Sequence, residues 1–153
     1  MQKLPLTIFF VFYMALPAVA QELLTPDSSI LPERVIEIQL QAMQKNDVPS
    51  PDFGIEQTWV FAHPKNKYMT GPLERFVAML KGPKYKMLLN HRNHIIKSVV
   101  LTEDYALFNV SITTASEHKA SFQWEVSKVK SGIHNGSWMT TAVSPPMRIK
   151  SAI

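Results

Sequence analysis

The chain has 153 residues, with 16 basic against 12 acidic side chains and no cysteine. That length suits one domain and is short for two, and without thiols there are no disulfides, thiolate metal sites or thiolate catalysis, so the core alone must hold the fold. The basic residues are scattered, as in Lys81, Lys84 and Lys86; a nucleic-acid footprint needs a clustered stripe, so no nucleic-acid partner is expected.

Lys3 is followed by an almost wholly apolar run from Leu4 to Leu16, then by the helix-breaking Pro17 and the small residues Ala18-Val19-Ala20. This pattern predicts a secretory signal peptide over residues 1–20, cleaved between Ala20 and Gln21. The mature protein is therefore expected to be exported, periplasmic or secreted. Contact with a membrane is expected only if the signal segment stays uncleaved, and Pro5, Thr7 and Pro17 leave that segment too broken and too short for a spanning helix.

Residues 21–31 read as a flexible leader, 32–147 as a single domain and 148–153 as a C-terminal tail. Pro32 and Glu33 open a helix whose Ile36, Leu40 and Met43 fall at i, i+4 and i+7 on one apolar stripe. It ends near Asn46-Asp47, before Pro49 and Pro51. Asp52 is expected to cap a second helix over 53–61, which Pro64 ends; 63–68 reads as a loop. Thr70-Gly71-Pro72-Leu73-Glu74 signals another helix start, with Leu73, Phe76, Val77 and Leu80 as its apolar face and Gly82-Pro83 as its stop.

From Tyr85 the period changes to two. Phe108, Val110 and Ile112 alternate with polar neighbours, as do Phe122, Trp124 and Val126. Turns are expected at Glu103-Asp104, Ser116–Lys119 and Asn135-Gly136, with Trp138 to Val143 as the returning strand. The sum is a meander of four or five antiparallel strands with one apolar face. Helices first and sheet second predict an α+β fold, with the N-terminal helices packed on a curved antiparallel sheet. Curvature would enclose a cone whose open end receives a ligand.

The blocks Gly54–Lys67, Thr70–Phe76 and Tyr85–His91 carry a resemblance. They contain Phe61-Ala62-His63-Pro64-Lys65-Asn66, then Gly71-Pro72-Leu73-Glu74-Arg75-Phe76. Over roughly residues 32–147 they resemble a family of uncharacterised proteins of bacteria, algae and plants, catalogued as a domain of unknown function. That family is in turn similar to the nuclear-transport-factor-2-like superfamily, a cone-shaped α+β fold shared with ketosteroid isomerases and limonene-epoxide hydrolases. The resemblance implies the fold; it carries over no catalytic residues, and the tyrosine with two acids that ketosteroid isomerases use has no counterpart in the meander.

Candidate ligand-binding residues follow from chemistry. His91 and His94 are read as structural hydrogen-bonding groups or as lining for the cone mouth. In a strand they point to opposite faces and no third ligand is spaced nearby, so no metal is expected. Acid–base work would draw on His63, His91 or His94, with Tyr68 or Tyr85 as donors. Trp59, Trp124 and Trp138 either floor an apolar pocket or belong to the core. Asn109-Val110-Ser111 and Asn135-Gly136-Ser137 match the glycosylation acceptor pattern. No nucleophile elbow, phosphate-binding glycine loop or HExxH motif is present, and no cofactor is expected. The leading expectation is non-catalytic binding of a small apolar or amphipathic ligand, with or without homodimerisation. The alternatives are a lyase, isomerase or hydrolase using His and Tyr, and a protein-interaction module of the cell envelope.

Overall fold

The computed structural model describes residues 21–149, so the expected signal segment and the last four residues lie outside it. Helix α1 spans Pro32–Gln44, with the proline in the first turn, where no N–H is needed. Val35, Ile36, Leu40 and Met43 are fully buried, so the apolar stripe read from the sequence is the face that meets the sheet. The leader before α1 forms neither helix nor strand, yet it is tied down. Leu24 donates its N–H to Gln57 Oε1 (2.8 Å) and accepts from Gln57 Nε2 (2.9 Å).

Helix α2 spans Phe53–Val60. Asp52 occupies its cap position with a left-handed backbone (φ 62°), but its carboxylate caps nothing in α2. Asn46 does that work instead: its Oδ1 accepts from Ile55 N and its carbonyl from Gly54 N. Gly54 is where the two helices touch. A Cβ there would lie 2.3 Å from the carbonyl oxygen of Ala42, so only glycine fits.

The segment read as a loop after α2 is a third helix, α3, over Pro64–Thr70. Pro64 starts this helix rather than merely ending the last one. His63 is its cap, with Nδ1 accepting from Lys65 N at 3.1 Å. Thr70 accordingly closes α3 and does not cap the next helix. Helix α4 covers Leu73–Lys81, entered from Pro72, with Phe76 and Leu80 buried. A short 3₁₀ turn, Lys86–Leu88, leads towards the sheet.

The sheet is an antiparallel meander: β1 (Asn93–Leu101), β2 (Tyr105–Thr113), β3 (Lys119–Lys128) and β4 (Trp138–Val143), in that spatial order. A two-residue strand β5, Met147–Arg148, pairs with Ala120 and Ser121 at the start of β3. Ala106, Phe108, Val110 and Ile112 of β2 and Ala120, Phe122, Trp124 and Val126 of β3 are buried on the inner face, under the helices. The fold is thus α+β, helices followed by an antiparallel sheet. The β3–β4 connection is longer than a two-residue hairpin: nine residues, 129–137, separate the strands, and Gly136 takes the positive φ (83°) of the turn.

Two bulges interrupt the ladders. One lies between Ser98 and Val100 of β1. In the other, Val126 pairs with Thr140 while Glu125 pairs with Ala142, so Thr141 is an extra residue in β4. The outer edge of β4 is not left bare. Thr140 N donates to Phe61 O and its carbonyl accepts from His63 N, which joins the segment between α2 and α3 to the sheet.

Candidate functional site

The space between the inner sheet face and α3, α4 and the 3₁₀ turn is not filled. It forms a cavity of about 290 Å³, at the small end of ligand sites. Its apolar wall includes Met43, Phe76, Leu80, Leu88 and Trp124. Met69, Met79, Tyr85, Ala142 and Val143 are more exposed and stand at the mouth, on the β4 side. Among the described residues, no charged side chain lines it. A wider hollow of about 640 Å³ lies where the leader crosses α1 and α2, but Glu22, Arg34 and Lys45 make its walls charged and polar. The smaller cavity has the more apolar lining of the two.

A closed polar cluster forms part of the lining. Gln39 is 1% exposed on the apolar face of α1. Its Oε1 accepts from Thr140 Oγ1 (2.6 Å) and Trp124 Nε1 (3.3 Å), and its Nε2 donates to Thr58 O (3.0 Å). Trp124 Nε1 also reaches Thr140 Oγ1 at 3.1 Å. Gln39, Trp124 and Thr140 therefore each have a partner, which is the condition for keeping such a cluster in a core, whereas Thr141 Oγ1 in the same lining is buried without one. Thr58 Oγ1 is spent on Gly54 O (2.8 Å) within α2.

Of the eight residues singled out from the sequence, Tyr85 and Trp124 line this cavity, and Trp138 is buried in the core; Tyr85 is the one at the mouth. Its hydroxyl donates to Val143 O at 3.1 Å, and burial pushes the phenol above its usual range. Trp59 stands behind the wall, with its ring 5.0 Å from Phe76 and Lys67 Nζ 5.3 Å from its centroid. Burial lowers the Lys67 ammonium. His63 caps α3 and is held below the usual histidine range, first by burial and then by Lys65. Tyr68 is 88% exposed on α3.

His91 and His94 meet, though not at the cavity. His91 precedes β1 and is not bound by the alternation of the strand. Its Nδ1 lies 2.7 Å from Leu88 O, and its Nε2 lies 2.7 Å from His94 Nδ1. Only one proton arrangement of two neutral rings satisfies both bonds: His91 Nδ1–H donates to Leu88 and His94 Nδ1–H donates to His91. Burial pushes both rings below the usual range. Leu88 O opposes this at His91 and Glu37 opposes it at His94. The pair therefore holds the 3₁₀ turn whose Leu88 side chain walls the cavity. Among the described residues, no group of three or more His, Cys, Asp or Glu side chains converges as a metal site, and no helix is long and apolar enough to cross a membrane.

The sequence reading missed Gln39, Asn66, Thr70 and Thr140–Thr141. Gln39 was visible as a lone amide on the stripe of Ile36, Leu40 and Met43. The consecutive threonines break the alternation of β4, the mark a bulge leaves. None of the family models, curated proteins or solved structures compared with this chain matches it.

Proposed function

We propose that this domain binds a small, largely apolar molecule in the cavity between α3, α4 and β4, and that it performs no chemistry on it. The observation that carries the reading is a largely apolar cavity, without charged lining among the described residues, set apart from the titratable pair. His91 and His94 are bonded to each other and to Leu88, outside the lining. At roughly 30 Å³ per water-sized group, the cavity holds on the order of ten non-hydrogen atoms. Met43, Met69 and Met79 give the walls side chains that adapt to irregular shapes.

The same proposal includes export after cleavage at Ala20, on the pattern of residues 1–20. It also includes a cone-shaped, nuclear-transport-factor-2-like arrangement, supported by the order of helices and sheet and by the motifs around Phe61 and Pro72. Native mass spectrometry on the protein from its host's envelope fraction tests it. A chain beginning at Gln21 with a small molecule bound supports both parts. A full-length chain would refute export. A ligand-free protein that also takes up no small apolar probe would refute binding.

Homodimerisation through the sheet is a second reading, and it attaches to the edge strand β1. Ile95, Val99 and Leu101 are each more than half exposed there, although Lys97 in the same strand opposes edge pairing. Sedimentation of the wild type against Val99→Lys decides it. A dimer that the lysine splits supports the reading, and a wild-type monomer at high concentration ends it.

A further inference from the structure

The fold sorts charges that look scattered along the chain. Residues 21–61, the leader with α1 and α2, carry seven acidic side chains and two basic ones. Residues 62–89, with α3, α4 and the 3₁₀ turn, carry six basic side chains and one acidic one, Glu74. Two of the six are engaged: Lys81 Nζ lies 2.6 Å from Asp52 Oδ2, and Lys67 sits over the Trp59 ring. Lys65, Arg75, Lys84 and Lys86 are exposed, and among the described residues none of them is in an ion pair. All four border the cavity mouth. Lys65 is one helical turn before Met69 on α3, Arg75 is one turn before Met79 on α4, and Lys84 and Lys86 flank Tyr85. Met69, Met79 and Tyr85 line the opening. Beside them Tyr68 and Met69 are 88% and 73% exposed.

We propose that this face docks on an anionic lipid surface, with Lys65, Arg75, Lys84 and Lys86 against the headgroups, Tyr68 and Met69 entering the interface, and the cavity mouth opening towards the acyl chains. Basic side chains near such a surface are each attracted to it, within about a Debye length. The separation of charge into an acidic helix pair and a basic one orients the molecule, because the surface attracts the second and repels the first. The exposed apolar side chains decide for lipid over a soluble acidic partner. A polyanion would use the cations and leave Tyr68 and Met69 in water, whereas the edge of a bilayer takes up both, and a tyrosine ring suits that boundary. The docking stands on charge and exposure. That the cavity then receives its ligand from the bilayer rests on the proposed binding role.

The test is co-sedimentation of the full chain, as its host processes it, with vesicles of phosphatidylcholine alone and of phosphatidylcholine mixed with phosphatidylglycerol. A leader retained on the chain would be common to every variant, so comparisons between variants stand. The expected result is tighter binding to the mixed vesicles, weakened by salt. Lys84→Ala with Lys86→Ala lowers that affinity about 25-fold, at about fivefold for each lysine. Tyr68→Ser lowers it about fivefold with no change of charge, by exposing part of one apolar ring. Lys45→Ala, on the acidic helix pair, leaves it unchanged. These side chains are all exposed, so the variants are expected to fold. Equal binding to both vesicle types, or affinity undiminished by the paired lysine change, overturns the docking. An equal loss from Lys45→Ala shows that binding follows net charge and overturns the assignment to this face. Heparin bound as tightly as the mixed vesicles, with Tyr68→Ser without effect on either, overturns lipid in favour of an acidic polymer. Uptake of a small apolar probe, measured without vesicles, tests the cavity separately, so it survives or fails on its own.

Discussion

Gln39→Glu would convert a neutral core contact into a proton-dependent one. The glutamate can keep both acceptor bonds, to Thr140 Oγ1 and Trp124 Nε1. It can replace the amide donor to Thr58 O only while protonated. The site is 1% exposed, so burial raises the folded-state pKa of the introduced acid above its unfolded value of about 4.3. A raised pKa means that the variant's stability is fully present below the unfolded value and is lost as pH rises through the folded one. Each unit between the two is worth about 1.4 kcal/mol. If the folded pKa lies three units up, the variant approaches wild-type stability at pH 4 and is about 4 kcal/mol less stable at pH 7.5. Urea denaturation of both proteins across that range measures the difference, and titrations common to both cancel. A stability difference that is flat with pH would show that Gln39 does not donate to a buried carbonyl, and the reasoning would be wrong.

Two further outcomes follow from the packing and the histidines. Gly54→Ala places a methyl group 2.3 Å from the Ala42 carbonyl oxygen, and the nearest atoms are all backbone. The helices must part, so a loss of about 3 kcal/mol or more in chemical denaturation is expected; a loss under 1 kcal/mol would mean that the α1–α2 contact is loose. His63, His91 and His94 are all held below the usual histidine range. Stability is therefore full above about pH 6.5 and falls as pH drops through the lower folded values, because the unfolded chain takes up protons first. His91→Asn should lessen that slope, and equal slopes in the two proteins would remove His91 from the account.

Periodicity made most of the architecture legible. The stripe of α1, the face of α4 and the inward residues of β2 and β3 each follow from spacing, because burying one face is what selects those periods. Proline was the weaker guide. Pro64 stops one helix and starts the next, and the sequence shows the stop more plainly than the histidine cap that makes the start. Asp52 has the chemistry of a cap and the position of one, yet Asn46 from the preceding helix end takes the role, through a contact that local spacing does not encode. The site was the least legible part. Its polar cluster joins residues on α1, α2, β3 and β4, a meeting that local spacing does not encode. The histidines drew attention because their chemistry is versatile, whereas here they brace a turn.

The bond from Thr140 to Gln39 joins positions 101 apart in the chain, and Trp124 reaches the same amide across 85. During synthesis, α1 would emerge long before either partner, with its amide still bound to water. The cluster is complete only when the last full strand arrives. A product truncated before Trp138 would keep the partners Thr58 and Trp124 for that amide but lack its shortest bond, from Thr140. Contacts that join α1 to β3 and β4 across such separations are non-local, and closing them is the slow part of folding such a topology.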